Sequence, residues 1–167
     1  ATERSVMHLK KDQTEKRLDR WNNIITSACE QCGLNIPPML HEPHSLDSWI
    51  QTVLPTINTT IITLAPTAEH SLGSFLKSFQ LLRLPDQLSG QEITSETSQL
   101  PHSFTIVIGP EGGLTEEEIS QLQNAGAKSV SLGARILRTE TAALTVISTL
   151  QGVIGDWSTE TDLFLEN

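Results

Sequence analysis

The chain has 167 residues, of which 37% are hydrophobic, enough to fold as one globular domain with its own core. Its net charge of −9 is the wrong sign for a protein that binds nucleic acid unaided, because neutralising phosphates requires a basic surface. Aromatic residues make up only 4% and Tyr is absent, so a stacking platform for single-stranded bases is not expected. No apolar run has the length of a membrane span, and we expect no membrane partner.

The first predicted helix covers residues 14–32 and follows residues 4–9, which are predicted to be extended. Asp12 with Glu15 suits the start of this helix as a capping pair, and Gly33 suits its end. Apolar side chains step by three and four along it, as on one face of an amphipathic helix: Leu18, Trp21, Ile25, Ala28 and Cys32. Basic residues cluster near its start: Lys10, Lys11, Lys16, Arg17 and Arg20.

Cys29 and Cys32 form a Cys-x-x-Cys pair that His41 and His44 follow, which raises the hypothesis of a zinc site. The eight residues between the pairs are fewer than in the usual zinc finger, and only two residues separate the histidines. The apolar stripe also accounts for Cys32 and places Cys29 at its edge. We therefore predict no metal and no redox dithiol, but reduced core cysteines of a cytoplasmic protein.

Three short apolar, β-branched runs predict buried parallel strands at residues 59–64, 103–108 and 128–132. Each is followed by a loop that could reach a common site, which indicates an α/β fold with a parallel sheet flanked by helices. Ser45 is predicted to cap a short helix that runs to Leu54 and ends at Pro55. Residues 85–102 are rich in Ser, Thr and Gln without periodicity, and we expect a surface loop there.

The second predicted strand runs directly into Gly109-Pro110-Glu111-Gly112-Gly113. Thr115 and Glu118 then form a capping box for a helix that Gly126 ends. In a strand, glycine turn and helix start of this kind, free backbone amides can face a ligand at the carboxyl ends of a parallel sheet. The spacing matches neither a phosphate loop nor a dinucleotide motif, and Glu111 favours an uncharged or cationic ligand. The alternative is a tight turn with no ligand.

Residues 131–142 begin with the end of the third strand at Gly133 and then bring Arg135, Arg138 and Glu140 together within six positions. Guanidinium groups are seldom buried without partners, so both arginines are candidates for binding something anionic or planar. The alternative is a plain helix start, with Thr139 as the cap and Glu140 favouring the helix dipole. The helix that follows is apolar on nearly every side, which predicts a buried helix over residues 140–154.

Two motifs together resemble the ribosomal RNA small subunit methyltransferase E family, of the SPOUT superfamily of knotted methyltransferases. They are Ile108-Gly109-Pro110-Glu111-Gly112-Gly113-Leu114 and Leu132-Gly133-Ala134-Arg135-Ile136-Leu137-Arg138-Thr139-Glu140-Thr141-Ala142. Residues 2–6, residues 28–33 and Gly155-Asp156 agree with it, so the resemblance covers about residues 1–156. Ala134 departs from it, because proline is common there.

The resemblance implies an enzyme that uses S-adenosylmethionine to methylate N3 of one uridine in 16S ribosomal RNA of the small subunit. It implies a homodimer whose parallel sheet ends in a C-terminal trefoil knot, with the cofactor bound against the knot loops. Residues 1–167 would form the catalytic domain, N-terminally truncated. The family's PUA-like RNA-binding domain, and the first strand and helix of the catalytic domain, would lie before Ala1.

The resemblance also assigns the site. Arg138 would orient the uridine or stabilise charge on its ring carbonyls, because arginine stays protonated and presents planar donors. The N3 proton would go to Glu140, to Glu111 or to water, and the sequence does not decide between them. The implied cofactor-binding residues are Leu64, Ala65, Pro66, Ile108, Gly109, Pro110, Glu111, Gly112, Leu132, Gly133, Ile136, Leu137, Thr139, Thr141 and Ala142.

Two other classes of function stay open from the sequence. One is a non-catalytic dimerisation or scaffold domain of an RNA-processing protein. The other is an α/β domain that binds a different nucleotide at its glycine turns.

Overall fold

The computed structural model describes residues 2–5, 11–80, 103–155 and 157, and it has an α/β fold. The helices are α1 (Lys11–Cys32), α2 (Leu46–Thr52), α3 (Leu72–Gln80), α4 (Glu116–Asn124) and α5 (Thr139–Ile154), with a 3-10 turn at Leu54–Thr56. The strands are β1 (Thr60–Leu64), β2 (Phe104–Val107) and β3 (Lys128–Val130). The three predicted strands are confirmed to within two residues at each end.

Within the described residues the sheet has the order β2-β1-β3, and both pairings are parallel. Thr60 pairs with Phe104 on one side of β1, and Ile62 pairs with Lys128 on the other. The carboxyl ends of all three strands therefore lie at the same edge of the sheet, as the sequence predicts.

Alternate residues of β1 belong to two different cores, because successive strand side chains point to opposite faces. Ile62, with no exposed surface, packs with residues of α3, β3 and α5: Leu72, Leu76, Val130, Val146 and Leu150. Ile61 packs on the other face with the 3-10 turn and the region of α4: Leu54, Leu114, Leu122 and Ala127. The sheet is thus covered on both faces, which fixes the strand ends and the loops that leave them.

Three predicted elements differ from the structure in their bounds. The first helix begins at Lys11 rather than at residue 14, so Asp12 and Glu15 lie inside it. The helix that Ser45 caps ends at Thr52, and Pro55 lies in the 3-10 turn that follows instead of ending the helix. Thr2 accepts a backbone hydrogen bond from Ser5, so residues 2–5 form a turn and not the start of a strand. Residues 6–10 and 85–102 lie outside the described residues.

The apolar stripe of α1 is rotated relative to its prediction. Cys29 is buried, with 7% of its surface exposed, whereas Cys32 and Ala28 are exposed. Leu18, Trp21 and Ile25 are half-buried, so the stripe continues through Cys29 and the prediction that placed it at the edge is wrong. Gly33 ends the helix with a positive φ of 74°, and the Leu34 amide donates to the Cys29 carbonyl, as expected of a C-terminal glycine cap.

The predicted burial of α5 on every side is only half confirmed in the single chain. Ala142, Val146 and Leu150 are buried, and the latter two pack in the core with the sheet and α3. Leu144 and Ile147 are 69% and 50% exposed. The helix therefore carries a second apolar face that the described part of the chain does not cover. Among the described residues, no helix is long and apolar enough to cross a membrane.

The predicted capping box of α4 is present and gives a direct test of the local fold. The Glu118 side chain, 8% exposed, accepts hydrogen bonds from the backbone amides of Thr115 at 2.9 Å and Glu3 at 2.7 Å. We expect Glu118→Ala to lower the free energy of unfolding by about 1–3 kcal/mol, because two amides lose a charged acceptor. Urea denaturation measures this change. Glu117→Ala, at an exposed position of the same helical turn, is the matched control and should have a much smaller effect; equal effects would contradict the assigned role.

Candidate functional site at the carboxyl edge of the sheet

Three loops leave the carboxyl edge of the sheet. The β1 loop is residues 65–71, the glycine turn after β2 is residues 109–113, and the arginine loop after β3 is residues 132–138. Because the strands are parallel and adjacent, all three loops start within a few strand spacings of one another.

The glycine turn is tightly folded on itself. The Gly113 amide donates to the Pro110 carbonyl at 2.8 Å, and Gly113 has a φ of +72°, which disfavours other residues. A Cβ atom on Gly109 would lie 2.9 Å from the Leu114 backbone nitrogen and 3.1 Å from its Cγ. The turn therefore requires glycine at both ends. Glu111 and Gly112, at its tip, are exposed to solvent.

The arginine loop contains Gly133, whose φ is +96°, and its charged side chains are exposed. Arg135 and Arg138 are exposed, as is Ile136, which has 83% of its surface open. Arg138 is also the N-cap residue of α5, and its side chain makes no capping hydrogen bond. Both guanidinium groups are therefore presented to solvent at the carboxyl edge, and the exposed Ile136 adds an apolar surface beside them.

The glycine turn and the arginine loop meet at Thr139. Its hydroxyl donates to the Gly109 carbonyl at 3.3 Å, across 30 positions of sequence. The alternative interpretation that made Thr139 the cap of α5 is therefore wrong, because its hydroxyl bonds to another loop and Arg138 occupies the cap position. Glu140 lies exposed in the first turn of α5. The two sequence motifs are thus in direct contact at the carboxyl edge of the sheet.

The β1 loop and the arginine loop cross each other. The Ser131 amide donates to the His70 carbonyl at 2.9 Å, and the Leu72 amide donates to the Ser131 carbonyl at 2.8 Å. Val130 accepts from Ala65 on the β1 side, and successive residues of a strand direct their backbone groups to opposite edges, so residues 70–72 of the chain lie on the outer side of β3. The arginine loop runs the opposite way, from β3 past β1 to the end of β2, where Thr139 contacts Gly109. Connections rarely cross at one edge of a sheet, so this arrangement is unusual.

The predicted cofactor-binding residues all lie in these loops, at the strand ends that precede them, or in the first turn of α5. Their exposure differs. Ala65 and Ala142 are buried in the core, so their side chains do not line an open site. Thr139 is half-buried between the two loops. The remaining half-buried residues are Leu64, Ile108, Gly109, Pro110, Leu132 and Leu137, and the exposed ones are Pro66, Glu111, Gly112, Gly133, Ile136 and Thr141.

Two cavities lie beside this edge, and their lining residues differ from the predicted cofactor-binding residues. One, of about 670 Å³, is lined by the β1 loop, α4 and β3, and shares only Ala65 with the predicted residues. The other, of about 380 Å³, lies at the start of α4 beside Glu3 and Glu118. Neither of these two cavities is lined by the glycine turn or the arginine loop. In the described part of the chain no three His, Cys, Asp or Glu residues are close enough to hold a metal ion.

Sequence patterns missed two residues that contact the site. The Arg4 guanidinium donates from Nη1 to the Gly112 carbonyl at 3.1 Å, and the Glu3 amide donates to Glu118. A Cβ on Gly112 would lie 3.1 Å from Arg4 Cβ, so the glycine allows the Arg4 side chain to pack closely. These contacts join positions more than 100 apart, and no local periodicity could have predicted them.

The sequence of this chain is similar to those of known RNA methyltransferases. The family model described as an RNA methyltransferase domain matches residues 1–151. Relatives named ribosomal RNA small subunit methyltransferase E include those of Buchnera aphidicola, 32% identical over 86% of this chain and 48% of the relative, and of Bacillus subtilis, 30% identical over 88% and 51%. The chain spans about half the length of the curated relatives it matches.

Solved structures of methyltransferases are also similar to this chain. A putative methyltransferase from Legionella pneumophila, in complex with its bound cofactor SAM, has a TM-score of 0.69 and 34% identity over 90% of this chain and 52% of that one. A ribosomal RNA small subunit methyltransferase E from Neisseria gonorrhoeae, bound to S-adenosylmethionine, has a TM-score of 0.65 and 31% identity over 90% and 51%.

Proposed function

The chain belongs to the RNA methyltransferase domain family, and from this premise we propose that it methylates N3 of one uridine in 16S ribosomal RNA, with S-adenosylmethionine as the donor. The observation that carries the proposal is the hydrogen bond from Thr139 to the Gly109 carbonyl. It joins the two motifs that carry the family resemblance into one site at the carboxyl edge of a parallel sheet, where α/β proteins bind ligands.

The residues present suit this cofactor. When bound, S-adenosylmethionine supplies a methyl group on a positively charged sulfur. Glu111, exposed at the tip of the glycine turn, suits a cation and disfavours a phosphate. Backbone amides and carbonyls of the glycine turn and the arginine loop can read a neutral purine, and Ile136 and Leu137 provide apolar surface beside it. We propose the predicted set as its binding residues on these grounds.

Arg138 and Glu140 flank the junction of the two loops, and we assign the catalytic roles to them. Transfer of the methyl group to N3 would require the N3 proton to leave, so a group that stabilises the resulting charge and a group that accepts the proton would both be needed. Arg138, exposed at the start of α5, can stabilise negative charge on the uridine carbonyls as that proton departs. Glu140, two positions along, is the carboxylate proposed to accept the proton, with Glu111 or water as the alternatives.

The crossing of the β1 loop and the arginine loop supports a trefoil knot in the C-terminal half. A trefoil knot, which the family resemblance implies, requires two connections that cross in this way. Continuous tracing of the backbone through residues 81–102 in a crystal structure would decide it. A path that leaves these two loops separable would rule out the knot.

We propose that two copies of the chain pair through the open face of α5. Leu144 and Ile147 are large apolar side chains that the single chain leaves exposed there, and a second copy would bury them. Leu144→Glu is expected to shift the protein from dimer to monomer in sedimentation at micromolar concentration, since the interface would then bury a charge. Ser120→Glu, at an exposed position of α4, adds the same charge and should stay dimeric. A monomeric wild-type chain would contradict the proposal.

Methyl transfer to small ribosomal subunits tests the function itself. Subunits from cells lacking this modification are incubated with labelled S-adenosylmethionine and either this chain or this chain joined to the N-terminal half of a relative. We expect one 16S uridine to gain an N3 methyl group, as mapped by mass spectrometry, and we propose that the enzyme acts in the cytoplasm on that substrate. Methylation of a different atom or a different RNA would overturn the assigned reaction.

A further inference from the structure

The turn formed by residues 2–5 is hydrogen-bonded to the glycine turn and to the start of α4. Two of its residues make the contacts: the Glu3 amide donates to Glu118 at 2.7 Å, and Arg4 Nη1 donates to the Gly112 carbonyl at 3.1 Å. The Ser5 amide closes the turn by donating to the Thr2 carbonyl at 3.1 Å. Glu118 is buried and also caps α4, so the Glu3 contact anchors the turn to a rigid element.

One peptide unit of the glycine turn is held from both sides. The Gly112 carbonyl and the Gly113 amide belong to the same planar peptide group, which rotates as a unit. Its amide donates to the Pro110 carbonyl at 2.8 Å, and its carbonyl accepts from Arg4. With glycine on either side of this peptide, steric limits on its rotation are weak. The hydrogen bond from Arg4 therefore restricts a rotation of this peptide group that the two glycines alone would permit.

The Arg4 side chain also packs along Gly112. An added Cβ at Gly112 would lie 3.1 Å from Arg4 Cβ and 3.6 Å from its Cδ, so the stem of the arginine covers one face of the glycine. The arginine thus acts in two ways, through its stem and through its guanidinium. The two effects can be separated by substitution.

We propose that Arg4 is a positioning residue for the cofactor site: it fixes the Gly112–Gly113 peptide so that the glycine turn presents its backbone in the orientation that binds S-adenosylmethionine. This inference rests on the proposed function, because it assigns Arg4 a role in that site. Arg4 acts through Gly112 and takes no part in the transfer of the methyl group. The N-terminal turn thereby couples residues at the start of the chain to a loop more than 100 positions away.

Cofactor affinity and amide hydrogen exchange of Gly113 test the proposal together in the 167-residue chain. Arg4→Met keeps the stem and removes the donors, and we expect it to raise the dissociation constant for S-adenosylmethionine about five- to tenfold, the equivalent of one typical intramolecular hydrogen bond. Exchange of the Gly113 amide without cofactor should become faster by a similar factor. Arg4→Lys, which retains a cationic donor, should recover most of the affinity.

Arg20→Met is the matched control, since it removes the same charge from an exposed position on α1, which contributes no predicted cofactor residue. It should change neither measurement. Unchanged affinity and exchange in Arg4→Met, with the wild type binding, would overturn the inference. Weaker binding with unchanged Gly113 exchange would also overturn it, because Arg4 would then touch the cofactor itself. A wild-type chain that binds no S-adenosylmethionine would instead refute the proposed function.

Discussion

Arg138→Ala is expected to lower the rate of methyl transfer about a hundredfold or more, the usual loss when one preorganised donor is removed from developing negative charge. The affinity for S-adenosylmethionine should stay within about twofold of wild type, a negligible free-energy difference. The structure supports this separation, because the Arg138 side chain is exposed and makes no capping bond at the start of α5. Removing it should leave the helix and the backbone of the arginine loop in place.

Arg138→Lys is expected to fail almost as badly, since an ammonium group does not reproduce the planar fork of a guanidinium. Steady-state assays on small ribosomal subunits give the turnover, and calorimetry gives the cofactor affinity. Lys77→Ala removes one exposed positive charge from α3 and should leave both quantities unchanged. If Arg138→Ala keeps its turnover and loses cofactor affinity, Arg138 belongs to the cofactor pocket and the catalytic assignment is wrong.

Gly109→Val is expected to abolish cofactor binding, because the added side chain has no room within the glycine turn. Its Cβ would lie 2.9 Å from the Leu114 backbone nitrogen and 3.2 Å from the Gly113 carbonyl carbon. Leu114 is buried in the core and cannot yield easily, so the turn must shift and draw the Gly109 carbonyl away from Thr139. Overpacking of this kind lowers the free energy of unfolding by about 1–3 kcal/mol.

Gly152→Ala provides the contrast. A Cβ at Gly152 meets nothing within 4 Å, and the residue lies in α5, where alanine favours the helix. It should bind cofactor normally and unfold at a slightly higher urea concentration. Calorimetry and urea denaturation of both variants make the comparison. A folded Gly109→Val variant with normal affinity would remove the glycine turn from the site.

The strands and the capping box could be predicted because their signals are local. A run such as residues 103–108 specifies a buried strand through its own β-branched residues, and Thr115 with Glu118 specifies a helix start within four positions. The apolar stripe of α1 was placed incorrectly because Ala28 and Cys32 fit a spacing of three and four as well as Cys29 does. Only packing against the rest of the chain chooses between these phases.

The details of the candidate site depended on contacts between distant positions. Thr139 looks like a helix cap in the sequence, yet its hydroxyl bonds to Gly109 because the arginine loop crosses to β2. Gly112 belongs to the predicted cofactor-binding residues, yet the Arg4 side chain also packs against it, which no local pattern indicates. The open face of α5 could not be predicted for a related reason. The sequence shows that the helix is apolar on nearly every side, but it does not show which of these side chains the rest of the chain buries.

Calorimetric titration of the chain with S-adenosylmethionine tests whether the glycine turn and the arginine loop form one cofactor site. We expect saturable, micromolar binding that Gly109→Val abolishes and that ATP does not match. No binding would contradict the account and favour a scaffold domain. Preferential binding of ATP would contradict it in favour of a site for a different, phosphorylated nucleotide.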